Sequence, residues 1–408
     1  MAVAPPRTSL LVLAYLAFVS LGLPDGLLGV GWPSISAELG VPTGAVGLIL
    51  TAGTIGYLTS SVLAGFTLAR LGVGRLLAGS TLLASLALTG YATAPTLTVL
   101  ICCALVLGLG SGAVDSGLNA YAAGAFGPRH MNWIHAFFGL GVAIGPLVMT
   151  AMLTTGAGWR WAYAVTAVTQ LALATAFALT VRAWRDRTGG SAASVAAGDD
   201  DPTARPGDPA QAGVRIRETL RLPAVWFGAL AFAVYVSIEV SAGLYSFLLL
   251  TEGRGLPDVT AGVCVSGYWG SLFVGRVVQG LVAERLGTAR VLRGSLLGMA
   301  AGAALIALPA PGAVTVAGLL VLGFAAAPVF PLLTLSTAER VGREHADRVI
   351  GVQIGAAGLG AALIPAGIGV LLGVTSARLL GPALTVLAVA LLAAHAAANR
   401  RAVPSLPP

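Results

Sequence analysis

Twelve apolar stretches limit what this chain can become: residues 8–31, 43–69, 75–95, 97–122, 133–155, 159–181, 223–250, 259–283, 291–309, 312–337, 349–373 and 378–398. A helix of about 20 residues crosses a hydrocarbon core of about 30 Å, and each stretch reaches that length. Lipid offers the backbone no hydrogen-bond partners, so only helices and closed barrels can span it. Barrel strands alternate apolar and polar residues over about ten positions, and these runs do not alternate. Charged residues make up 10% of the chain, against about 25% in soluble domains. The expectation is an all-α membrane protein with twelve transmembrane helices.

All 23 basic residues are arginine. With a cytoplasmic amino terminus and alternating spans, nineteen of them fall on the cytoplasmic side, and only Arg160, Arg254 and Arg378 fall outside. Positive charge gathers on the cytoplasmic side of membrane proteins. A multi-pass protein of the cell (inner) membrane with both termini cytoplasmic is therefore expected. The net charge of +7 is a topology signal, and no nucleic-acid partner is expected. The amino-terminal run lacks a small-residue cleavage site before Pro24 and reads as the first span, not a removable signal. Cys102, Cys103 and Cys264 lie within spans, without the spacing of a metal or disulfide framework. No metal or cofactor is expected.

One long polar segment separates spans six and seven. Its Gly, Ser, Asp and Pro content cannot bury a core, so residues 183–222 read as a cytoplasmic linker. "VRIRETLRL" near its end has the pattern of a short surface helix. The linker divides the chain into an N-terminal six-helix bundle, 1–182, and a C-terminal bundle with a short tail, 223–408. The two halves repeat. "GFTLARLGVGRLLAGSTL" from Gly65 and "GLVAERLGTARVLRGSLL" from Gly280 share nine of eighteen positions at an offset of 215. A weaker echo pairs "GLGVAIGP" from Gly139 with "GLGAALIP" from Gly358. Apolar bias alone does not explain paired arginines and glycines in a loop. Parallel repeats of six helices, with the substrate site between them, are one of the transporter architectures.

The repeated loops resemble the signature of the major facilitator superfamily: Gly, three residues, Asp, Arg or Lys, any residue, Gly, then basic residues. The resemblance implies the major facilitator fold, two six-helix bundles, and a gating role at the cytoplasmic face. The matching positions are Gly65, Arg70, Gly72 and Arg75 in the first copy, and Gly280, Glu284, Arg285, Gly287 and Arg290 in the second. Ala69 stands at the acidic position of the first copy, so the acid–base latch is expected to be weaker there.

Few ionisable groups lie deep within spans: Asp25, Asp115, Glu239 and Arg276. An ionised residue at a helix centre costs about 2.5–3.5 kcal/mol on insertion scales, and such residues normally face a cavity or a partner. Asp25, Asp115 and Glu239 are the candidate proton-coupling groups. A structural alternative for Asp25 is to accept backbone hydrogen bonds where Pro24, Gly26 and Gly29 break the helix. Asn119 lies one turn from Asp115 on the same face, and the pair offers both donors and acceptors to a substrate hydroxyl, with a satisfied interhelical hydrogen bond as the alternative. Tyr235, Trp269, His135 and Gln353 are further candidate substrate contacts, although packing is the competing reading for Trp269. Arg276 is the candidate counter-charge for an acid on a neighbouring helix, with a structural tether as the alternative.

Within the superfamily, the span-one acid, "GLGSGAVDSGLNAY" and "MNWIHAFFGLG" resemble the fucose–proton symporter family and its bacterial relatives. That resemblance implies coupling and sugar binding at Asp25, Asp115 and Asn119, with Asp115 in place of a glutamate. A second motif, "GVAIGP", resembles the span-five signature of drug–proton antiporters. Lysine is absent, so no ATP-binding loop GxxxxGK[ST] is possible, and no nucleophile–base pair suggests an enzyme. The expected function is secondary transport of a small, sugar-like solute by proton-coupled alternating access, carried out by a monomer in the bilayer. Efflux of a drug or metabolite against protons is the alternative.

Overall fold

The structure is a computed structural model and describes residues 8–126, 128–184 and 216–400. Most of the expected linker lies outside these residues. The helices are α1 Thr8–Leu39, α2 Val46–Leu71, α3 Val73–Thr93, α4 Leu97–Ala125, α5 Pro128–Thr154 and α6 Trp159–Thr180. They are followed by α7 Pro223–Leu248, α8 Asp258–Leu286, α9 Thr288–Ala307, α10 Gly312–Ala326, α11 Arg343–Val374 and α12 Leu380–Arg400. Val329–Leu335 continues α10 beyond Pro328. No strand occurs among the described residues. Among the described residues, twelve helices are long and apolar enough to cross a membrane. The chain is an all-α, multi-pass membrane protein.

Hydropathy places most helix ends within a few residues. The exception is α1, which runs on to Leu39, eight residues past the expected end at Gly31. Its polar last turns are held by local contacts: Ser36 Oγ donates to the Pro33 carbonyl at 3.1 Å, and Trp32 Nε1 donates to the Thr43 carbonyl at 2.8 Å. Helix α1 also passes through Pro24, Gly26 and Gly29 without a break, so Asp25 has no broken turn to cap.

The chain divides into two compact units, Met1–Leu27 with Ile49–Ala212, and Leu28–Leu48 with Gly213–Pro408. In the first, Phe18, Leu77, Leu118, Tyr121, Phe177 and Trp184 form one buried cluster. Here lipid supplies no hydrophobic force between helices, so close approach depends on small residues. Helices α1 and α5 meet that way. A Cβ on Gly22 would collide with the Phe138 carbonyl oxygen, and one on Gly141 with that of Val19. Helices α2 and α4 do the same, since a Cβ on Gly56 would strike the Leu105 carbonyl and one on Gly108 that of Gly53.

The second unit repeats these approaches. A Cβ on Gly360 of α11 would collide with the Ala233 carbonyl of α7, as Gly141 does with Val19. On Gly275 of α8 it would lie 2.6 Å from the Phe324 carbonyl of α10, as Gly56 does against Leu105. The repeat in the sequence is thus a repeat of helix contacts. The glycines of "GVAIGP" are accounted for by packing on α1.

Residues 28–48 pack wholly within the second unit. Gly29 lies against the Gly243 carbonyl at a Cβ distance of 2.6 Å, Gly47 against Ala366, and Gly44 against Val370. At the other end of the unit, Thr219 Oγ1 and His345 Nδ1 are 2.9 Å apart. This bond fastens a short turn, Ile216–Thr219, to the start of α11.

Candidate functional site

Each unit carries a carboxylate beside a tyrosine. In the first, the glycine contacts between α2 and α4 bring Tyr57 next to Asp115. Tyr57 Oη donates to Asp115 Oδ2 at 2.6 Å, and Asn119 Nδ2 donates to Asp115 Oδ1 at 3.0 Å. Both carboxylate oxygens are therefore engaged, while Asn119 Oδ1 is buried without a hydrogen-bond partner. Tyr57 remains 37% exposed, so the cluster can be reached from outside the protein. The Tyr57 phenol of α2 beside a carboxylate and a carboxamide one turn apart on α4 can both donate to and accept from a polar solute.

Asp25 projects from α1 and is exposed. Gly22 and Gly26 of its helix face α5, which leaves the carboxylate on an open side. It lies within electrostatic reach of the hydroxyls of Tyr57, Tyr91 and Tyr163. Tyr91 and Tyr163 pack with ring centroids 4.9 Å apart, and the Tyr163 hydroxyl is buried without a partner.

In the second unit, Tyr235 and Glu239 sit one turn apart on α7, and the Tyr235 hydroxyl donates to Glu239 Oε2. The same hydroxyl lies 3.1 Å from the Ala326 carbonyl. Tyr268 Oη donates to the Glu239 backbone carbonyl at 2.9 Å. Arg276 of α8 places Nη2 at 3.8 Å from Glu239 Oε1, with side-chain exposures of 30% and 17%. Arg276 is thus the counter-charge of Glu239, from the neighbouring helix.

The remaining candidates separate by exposure. Trp269 is half-buried, its ring laid over Gly243 and 5.0 Å from Tyr268. Gln353 is 2% exposed and accepts a hydrogen bond from Thr337 Oγ1 at 2.9 Å. That makes it a tether inside the second unit, closed to a solute in this structure. His135 is exposed, its ring centroid 5.2 Å from that of Phe18 in a T-shaped contact. In the loops, Arg70, Arg75, Arg285 and Arg290 are exposed. Gly72 and Gly287 take φ of +74° and +86°, a region that favours glycine, which explains why glycine recurs there. The side chains at 280 and 284 lie outside the described residues, so the expected Glu284 latch does too.

Tyr57 is absent from the sequence-based set. Its partner lies 58 residues away, and a lone tyrosine in an apolar run gives no sign of it. The usable signal is the glycine spacing, Gly53 and Gly56 against Gly108 and Gly112, which marks α2 and α4 as helices in backbone contact.

Twelve spanning helices in repeated pairs, with accessible carboxylates held inside the spans, define a polytopic membrane transporter. Residues 14–365 match the Major Facilitator Superfamily, and the chain belongs to that family. Among solved structures it is similar to the nucleoside transporter NupG (TM-score 0.75, 15% identity, 95% of this chain and 100% of that one). It is also similar to a bacterial homolog of the human lysosomal transporter Spinster (0.74, 14%, 98% and 97%). A D-xylose–proton symporter matches as well (0.73, 14%, 94% and 97%). No curated protein matches the sequence significantly.

Proposed function

We propose that the protein is a proton-coupled carrier of a small, hydroxyl-rich solute of the sugar or nucleoside kind, working by alternating access. One observation carries this reading: Asp115 is held by Tyr57 and Asn119 at 2.6 and 3.0 Å in an accessible position inside a span. Protonation of Asp115 removes a charge held inside a span and converts one acceptor oxygen into a donor. Asp25, exposed on α1, is a second proton acceptor. In the other unit, a proton on Glu239 cancels its attraction to Arg276 and frees the guanidinium for another partner. The two bundles, 1–182 and 223–408, each supply one of these clusters, and the segment 183–222 links them.

The sugar reading draws support from the fucose–proton symporter resemblance at Asp25, Asp115 and Asn119. Efflux of an amphiphile against protons is the second reading, resting on the "GVAIGP" resemblance, whose Gly141 and Gly145 pack α5 onto α1. The arginine distribution favours both termini in the cytoplasm, and the reading is of a monomer in the inner membrane.

The test is uptake into proteoliposomes of a panel of labelled monosaccharides, nucleosides and hydrophobic cations, with and without an imposed pH gradient. Concentrative uptake of a polyol solute driven by the gradient is expected, with Asp115→Asn still exchanging solute but no longer concentrating it. Gradient-driven extrusion of the hydrophobic cations, or normal accumulation by Asp115→Asn, overturns the proposal.

A further inference from the structure

A groove of about 840 Å³ runs along the second unit between α8, α9 and α10. Gly294 and Gly298 of α9 line one side of it, and Val274, Leu320 and Phe324 line the other. A Cβ on Gly294 would meet nothing within 4 Å, so the space above it is open. The three large side chains remain 48%, 39% and 37% exposed in the whole chain. Lipid tails are the only apolar medium a membrane protein is certain to meet on such a surface.

The groove has a charged end. Arg290 lines it and stands four residues before Gly294, hence on the same face of α9. Its Nη1 makes one long hydrogen bond, 3.4 Å, to the Leu286 carbonyl. Arg285 and Arg293 are exposed, and from Arg285 to Arg293 the sequence holds three arginines and no acid. Glu284, just before, leaves a local excess of positive charge.

We infer that this groove binds a phospholipid with an anionic headgroup. One acyl chain lies between Gly294 and Phe324, and the phosphate pairs with the Arg290 guanidinium, with Arg293 adding charge. Guanidinium forms charge-assisted bonds with phosphate oxygens, and basic residues at a membrane surface favour anionic over zwitterionic lipid. Neither the groove nor these contacts involve Asp25, Asp115 or Glu239, so the inference stands apart from the transported solute.

Native mass spectrometry of the full-length protein released from detergent tests it, with phosphatidylglycerol and phosphatidylcholine of identical acyl chains as probes. Phosphatidylglycerol is expected to survive activation that strips phosphatidylcholine, and Arg290→Gln with Arg293→Gln to reduce that preference roughly tenfold. Gly294→Leu enters the groove where an added Cβ meets nothing within 4 Å and is expected to lower retention of both lipids, with thermal unfolding in lipid-free detergent unchanged. Val274→Trp closes the groove from the other wall if Gly294→Leu does not fold. Equal retention of the two lipids, retention indifferent to both groove-filling variants, or glycerol phosphate without acyl chains held as firmly as the lipid would each overturn the inference.

Discussion

At the scale of single residues, the two carboxylate clusters differ in what neutralises them. Asp115 is satisfied by neutral donors, Tyr57 and Asn119, whereas Glu239 has a tyrosine and an arginine. A hydrogen bond to an ionised group contributes about 1.5–3 kcal/mol. Tyr57→Phe deletes one such bond without changing shape, so a loss of roughly tenfold in gradient-driven uptake is expected. Initial rates in proteoliposomes check it, and a wild-type rate would remove the phenol from the site. A second site is structural. Arg340 is 6% exposed, with Nη2 at 3.3 Å from His395 Nδ1 and Nη1 without a partner. Burial pushes its guanidinium below the usual range, against the opposing pull of Glu339. His395→Ala leaves the second nitrogen unpaired as well, at an expected cost of about 1–3 kcal/mol. Arg340→Met removes the buried charge altogether and is expected to be neutral or stabilising. Thermal unfolding of the two variants in detergent should move in these different directions. The sequence shows these acids readily, because a charge inside an apolar run is conspicuous. It does not show Tyr57, nor that Gln353 is sealed in, because partners far along the chain and side-chain burial leave no local trace.

Elements were more legible than residues. Span length follows from hydrocarbon thickness, so helix ends are written into composition; only α1 escaped, because Trp32 and Ser36 satisfy its last turns beyond the apolar run. Helix pairing is harder to see, since glycine is frequent throughout, 55 in all, and only some glycines sit at contacts. A substitution series separates them. Gly56→Val and Gly275→Val each drive a side chain into backbone, Leu105 in one unit and Phe324 in the other. Gly65 has nothing within 4 Å of an added Cβ. The two contact variants are expected to lose several degrees in midpoint temperature, as overpacking costs about 1–3 kcal/mol or more, while Gly65→Ala keeps the wild-type value. Similar losses at Gly56 and Gly275 would show that the repeat is energetic as well as geometric. A tolerant Gly56→Val would mean that α2 and α4 adjust without it.

For the molecule as a whole, the telling feature is a segment that leaves the first half of the sequence for the second unit. Residues 28–48 pack on α7 and α11 through Gly29, Gly44 and Gly47. These contacts are built from glycine and small side chains, which separate without tearing apart an interdigitated core. If the protein alternates access by moving this segment with the first half of the sequence, they are expected to open and close once per cycle. A covalent bond tests this directly. An ideal Cβ on Gly373 lies 3.5 Å from the Thr43 Cβ, within the span of about 3.5–4.5 Å that a disulfide accepts. Neither Thr43 nor Gly373 is buried, so an oxidant can reach both. In a background with Cys102, Cys103 and Cys264 replaced by alanine, Thr43→Cys with Gly373→Cys should cross-link under mild oxidation. Uptake is then expected to stop and to return on reduction, while each single cysteine variant transports in both conditions. Undiminished uptake by fully cross-linked protein would mean that this segment stays fixed to α11 throughout, and the opening would have to occur elsewhere.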